Sequence, residues 1–268
     1  KIIAKLAPNK YTYLGNGESL EATIKASLEV ARGTDGELLK INEDYVLGYN
    51  SPENTTVPSE VGEYLLYVVG IGNYDGTQTT AEFSISPLTG SVHIDLANTD
   101  LIYNGKLQHP TVVLDETYLT VDGEKIYLSD LRENVDYVIT YSDSVNVGNY
   151  ILQVNGVGNY AGNYNYSNYA IEAKTIDAED IVIKSSTPVI KYYDGTAQTL
   201  EISPTGDIWI EYKLADGTVL LLEEGKDFTT YYSSNTNAGN ASLVLMGKDN
   251  FKEVKVYSFL IETRSIGL

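Results

Sequence analysis

The sequence predicts an all-β protein made of three tandem repeats, and three observations carry that prediction. Four short markers recur in the same order three times along 268 residues. Between them run short segments with period-two alternation, rich in β-branched and aromatic side chains. Helical spacing is scarce, and Asp-Gly pairs sit between apolar runs, a strong hairpin signal.

The first marker is an aromatic, any residue and Gly: Tyr13-Leu14-Gly15, Tyr103-Asn104-Gly105 and Tyr193-Asp194-Gly195, 90 residues apart each time. The second is an Asp-Gly pair at 35–36, 122–123 and 216–217. The third is Asp followed by an aromatic: Asp44-Tyr45, Asp136-Tyr137 and Asp227-Phe228. The fourth begins at Val61-Gly62, Val147-Gly148 and Ala238-Gly239. It ends in Gly70-Ile71-Gly72-Asn73-Tyr74-Asp75-Gly76, Gly156-Val157-Gly158-Asn159-Tyr160-Ala161-Gly162 and Gly247-Lys248-Asp249-Asn250-Phe251. This order divides the chain into repeats 1–88, 89–174 and 175–268. From the third marker's aromatic to the fourth marker's first Gly is 11 residues in repeats two and three, and 17 in repeat one. The surplus falls at 50–60, a longer surface loop of the kind that often carries binding.

The elements follow in order. Residues 18–32 space Leu20, Ile24 and Leu28 as a helix would, but the matching stretches of the other repeats read as strands, so a strand is expected here too. Strands are predicted at 64–69 and 81–86, at 112–114, 136–141 and 150–154, and at 208–212 and 242–246. Segments 38–43, 128–133 and 221–225 read as single helical turns before the Asp-aromatic strands. The Gly-rich end of the fourth marker reads as a tight turn that folds Tyr74, Tyr160 and Phe251 onto the sheets. Each repeat then holds six or seven short strands in under 100 residues, the size of an immunoglobulin-like β-sandwich. The expected fold is all-β: three tandem immunoglobulin-like modules in an elongated array, reaching on the order of 100 Å. The alternative is β-grasp modules, which a helix at 18–32 with counterparts in the other repeats would favour.

The first and fourth markers resemble the repeated modules of bacterial surface proteins known as YDG or MBG-type adhesin repeats. Tyr193-Asp194-Gly195, the two Gly-x-Gly-Asn-Tyr-x-Gly segments and Gly225-Lys226-Asp227-Phe228 carry the resemblance. Repeat one departs from it at Tyr13-Leu14-Gly15, and repeat three lacks the last two Gly of the fourth marker. The resemblance implies an extracellular, cell-surface location, with signal and anchor outside this fragment. It implies a stalk or adhesin role and no catalytic residues.

Composition narrows the function classes. The 18 basic and 37 acidic residues leave a net charge of −19, opposite to what nucleic acid or an anionic membrane surface requires. With no Cys, disulfides, thiolate metal sites and thiol nucleophiles are excluded. His93 and His109 are the only histidines, too few for most His-based catalysis, and no nucleophile elbow accompanies them. The Gly-x-Gly pattern lacks the following helix that a dinucleotide site needs. No stretch approaches the roughly 20 apolar residues of a transmembrane helix. Residues 1–5 are too short and too charged for a signal peptide.

Two sets of candidate binding residues remain. Asp95, Asn98 and Asp100, and Asp177, Glu179 and Asp180, lie near the predicted module junctions, where calcium could collect oxygen ligands. Tyr164, Tyr166 and Tyr169 belong to a Tyr-Asn-rich segment in a chain with 23 Tyr and 4 Phe. Tyr suits sugar faces and protein epitopes, because its plane is apolar and its tip polar. The expected function is therefore a non-catalytic stalk or spacer, with no resident cofactor and a monomeric chain. The alternatives are an adhesin module that binds a host glycan or protein, and an accessory binding module of a secreted polysaccharide enzyme.

Overall fold

Alternating apolar residues become paired strands in the computed structural model, which describes residues 1–15, 19–142 and 144–264. The protein is nearly all β. In repeat one a four-stranded sheet runs in the order Lys10–Thr12, Gln78–Ser86, Gly62–Gly70, Tyr45–Tyr49. The first pair is parallel, with Tyr11 opposite Ile85, and the others are antiparallel. The antiparallel pair Ile2–Leu6 and Leu28–Arg32 and the helix Glu21–Ser27 cover one face. Ile2, Leu20, Ile24 and Val30 there meet Tyr45, Leu66, Val68, Phe83 and Ile85 from the sheet. Burying each such side chain contributes roughly 1.5–3 kcal/mol relative to exposure.

The sheet order recurs. In repeat two it is Tyr137–Tyr141, Gly148–Gly156, Tyr164–Glu172, Leu101–Ile102. In repeat three it is Phe228–Ser233, Gly239–Gly247, Val254–Glu262, Ile190–Tyr192. The short strand after the start of each repeat again joins in parallel, with Leu101 opposite Ile171 and Ile190 opposite Leu260. Repeat two adds a three-stranded sheet of Ser91–His93, Tyr118–Val121 and Glu124–Tyr127, and repeat three adds one of Ile181–Lys184, Trp209–Lys213 and Val219–Leu222. Its Ile181, Ile210, Tyr212 and Leu222 pack on Phe228, Leu243, Leu245 and Phe259, giving two layers around one core. By compactness the chain divides into two units. One is Lys1–Asp95 with Val112–Thr140 and Gln153–Ser167; the other is Leu96–Thr111 with Tyr141–Leu152 and Asn168–Leu268.

Two expectations are overturned, the strand over 18–32 and the helical turns at 38–43 and 221–225. The strand expected over 18–32 is a helix, Glu21–Ser27, followed by the strand Leu28–Arg32; Glu18 lies outside the described residues. Ala22 and Ala26 favour the helix, Lys25 bonds Glu21 one turn away at 2.5 Å, and Ile24 is fully buried. Among the described residues the helix has no counterpart in the other repeats, so the β-grasp condition is met in its first half only. Of the three predicted helical turns, 128–133 contains one, Leu128–Asp130. Residues 221–222 instead complete a strand, and Leu39 donates to the Val30 carbonyl beside strand Leu28–Arg32. Asp122-Gly123 makes the predicted two-residue hairpin between Tyr118–Val121 and Glu124–Tyr127, both residues at positive φ.

Candidate functional site

The third marker is a carboxylate folded back onto its own turn. Asp44, Asp136 and Asp227 accept the backbone N–H four residues earlier, from Lys40, Arg132 and Glu223, each at 2.9 Å. The intervening Asn42, Asn134 and Gly225 hold positive φ, which Asn and Gly adopt most readily. The following Tyr45, Tyr137 and Phe228 are buried. Arg132 also bonds the Asp136 carboxylate through Nε at 3.0 Å, and this holds its pKa below the usual carboxylate range. The carbonyls of Asp44, Asp136 and Asp227 receive the N–H groups of Ile71, Val157 and Lys248. The third marker thereby positions the fourth.

The fourth marker ends in a tight turn, a 3₁₀ segment at Gly72–Tyr74 and Gly158–Tyr160. Its first Gly is required by close approach. A Cβ on Gly70 or Gly156 would lie 2.2 or 2.1 Å from the carbonyl oxygen of Tyr74 or Tyr160. The second Gly serves a positive φ, which Asp249 adopts in repeat three at 55°. The turn carries an Asn-aromatic pair at its tip: Asn73-Tyr74, Asn159-Tyr160 and Asn250-Phe251.

Two of these pairs dock on the preceding repeat, each within one compact unit. Asn159 Oδ1 accepts the Val61 N–H at 2.9 Å, and Asn159 Nδ2 donates to the Glu60 carboxylate. The Tyr160 ring meets Tyr13 of the first marker edge-to-face, 5.6 Å between centroids. The connecting segment is tied down as well. Leu88 N–H donates to the Asn159 carbonyl, and Asn163 brackets the segment through the Leu88 carbonyl and the Gly90 N–H. Burial pushes the Tyr160 phenol up to about 12.

The second joint repeats the first. Asn250 Oδ1 accepts the Val147 N–H at 2.9 Å, and Asn250 Nδ2 donates to Asn146 Oδ1 at 3.0 Å. Phe251 meets Tyr103 edge-to-face at 5.3 Å, and Lys174 N–H donates to the Asn250 carbonyl. Tyr212 adds a bond from its hydroxyl to the Tyr103 carbonyl. Lys106 pairs with Asp216, and that bond, with two from Thr218, holds the Asp216 carboxyl at about 2. In both joints an Asn amide oxygen accepts a backbone N–H of the preceding repeat beside an edge-to-face aromatic contact.

The predicted binding residues are dispersed. Tyr164 and Tyr166 share an outward face and are 66% and 58% exposed; Tyr169, three residues on from Tyr166, is 5% exposed. Tyr169 stacks on Tyr150 and donates to the Ser142 carbonyl, so it packs the fold instead of joining the other two. Asp177 pairs with Lys255 at 3.3 Å and Asp180 with Lys174 at 2.9 Å. Asn98 bonds Thr111, while Asp100 and Glu179 point into solvent. Asp95 donates its N–H to Thr117 and lines a shallow cleft with His93, Tyr118 and Lys125. Among the described residues no group of three or more His, Asp or Glu could hold a metal ion. The long loop at 50–60 folds back through Asn54 onto the Tyr49 backbone and delivers Glu60 to the first joint. Sequence reasoning missed Asn159 and Asn250; their signal was an Asn beside an aromatic in all three copies of the fourth marker.

No protein family profile matches the chain, and no curated protein matches it. Among solved structures, the crystal structure of domains 7, 8 and 9 of the S-layer protein SbsC aligns over 99% of this chain and 98% of that one. The identity is 11% and the TM-score 0.26, too low to establish a shared fold. No helix among the described residues is long and apolar enough to cross a membrane.

Proposed function

We propose that the chain is a non-catalytic spacer of a bacterial cell-surface protein, in which repeats 1–88, 89–174 and 175–268 are immunoglobulin-like modules locked to one another at their joints. The observation that carries this reading is the joint itself. Asn159-Tyr160 and Asn250-Phe251 seat on the preceding repeat through the same amide pair and the same aromatic edge. A spacer needs this property, because a tied connection limits bending where a free linker would not. The charge of −19 keeps such a segment soluble. The resemblance to adhesin repeats supports the surface location.

A second reading is favoured by Tyr164 and Tyr166, which present two aromatic rings outward from one strand. There the middle repeat would bind a host glycan or protein directly. Glycan, mucin and matrix-protein arrays separate the two. The spacer reading expects no saturable signal from the intact chain, with or without calcium. A saturable signal lost on replacing Tyr164 and Tyr166 by Ala would make the chain an adhesin.

A further inference from the structure

Each joint is asymmetric. The upstream repeat supplies the Tyr of its first marker (Tyr13 or Tyr103) and the residue pair before its fourth marker (Glu60-Val61 or Asn146-Val147). The downstream repeat supplies the Asn-aromatic tip. Repeat three carries the upstream set once more, as Tyr193 and Asn237-Ala238, and repeat one carries the downstream set, as Asn73-Tyr74.

Both sets are unused among the described residues. Tyr193 is 40% exposed, where Tyr13 and Tyr103 are half-buried. Asn73 is exposed, where Asn159 is buried. Neither the Ala238 N–H nor the Asn73 side chain has a hydrogen bond there, although Val61, Val147, Asn159 and Asn250 are all engaged at the matching positions. Residues 234–240 line an open cavity of about 380 Å³, at the place where the matching segments of repeats one and two seat Asn159 and Asn250.

We propose that the half-joint of repeat three, unfilled among the described residues, receives the Asn73-Tyr74 turn of a second copy of this chain, head to tail. The occupant follows from continuity with two formed joints, and the inference rests on their geometry, not on the spacer role. The contact is heterologous, so association continues past a dimer. It lacks the covalent connection that ties the internal joints. It also lacks one brace: Tyr64 and Tyr150 donate to the carbonyls of Glu60 and Asn146, and Ala241 stands at their place in repeat three. The expected dissociation constant is therefore weak, about 0.1–1 mM once salt screens the like charge.

Sedimentation equilibrium of the full chain up to about 1 mM, in about 0.5 M salt, tests this directly. The expected result is a mean mass that rises beyond two chains. Asn73→Ala and Tyr193→Ala each alter an exposed residue, and each should weaken self-association at least about tenfold. Circular dichroism confirms that both variants remain folded. Mixing the two variants pairs one intact turn with one intact seat, so it should restore dimers and nothing larger. Monomer at every concentration overturns the proposal. So does association that survives both variants, which would assign it to the exposed face of Tyr231, Met246, Val254 and Val256, and so does a mixture that restores nothing. An array signal would overturn the spacer reading and leave this association untouched, so the two fail separately.

Discussion

Asp136 shows how much local fold one side chain can set. It is buried, accepts the Arg132 N–H and two bonds from the Arg132 guanidinium, and passes its own carbonyl to Val157 at the base of the joint turn. Replacing it by Ala leaves the Arg132 N–H without its acceptor and should cost roughly 1–3 kcal/mol in a denaturant titration. Its depressed pKa also gives a pH signature. A carboxylate with a lowered folded pKa contributes stability above its unfolded pKa, near 3.9, and loses it as pH falls through the folded value. Unfolding midpoints measured at pH 7 and near pH 3 should therefore differ less in Asp136→Asn than in the unaltered chain. An equal acid loss in both would show that Asp136 does not carry this share. The recurring Asp was legible in the sequence because its role is local, a side chain closing on backbone four residues away. What it accomplishes beyond the turn, the hand-over to Val157, depends on strands distant in sequence and was not legible.

Among the elements, the glycine turns follow more directly from the sequence than the strands they join. Asp122-Gly123 and the Gly-rich fourth marker are dictated by backbone geometry that few residues satisfy. Gly156→Ala tests this, since the new Cβ would lie 2.1 Å from the Tyr160 carbonyl oxygen, and backbone cannot yield cheaply. The expected cost is about 1–3 kcal/mol, read as a lowered unfolding midpoint; an unchanged midpoint would show that the turn relaxes freely. The helix Glu21–Ser27 departs from the expected strand. Its local signal, Ala, Glu and Lys around a buried Ile24, was present. The matching stretches of the other repeats point to a strand instead, yet repeat one closes its core with a helix where repeat three uses a three-stranded sheet. The Tyr-rich strand was half legible. Period-two alternation placed Tyr164 and Tyr166 together on the outer face, and the same alternation sends Tyr169 into the interior.

For the whole molecule, the repeat count was visible in the markers, but the reason for their spacing was not. The first and fourth markers lie far apart within a repeat, yet each meets its opposite number across a joint: Tyr13 with Tyr160, and Tyr103 with Phe251. Such pairings are invisible to periodicity, because they join residues more than 140 positions apart. They explain why an aromatic recurs at both ends of a repeat.

Residual dipolar couplings of the intact chain test most directly whether these joints lock neighbouring repeats. Couplings from repeats one and two should fit a single alignment tensor. Asn159→Ala combined with Tyr13→Ala should split them into two tensors, while each repeat keeps its own fold. Two independent tensors in the unaltered chain would contradict a locked joint.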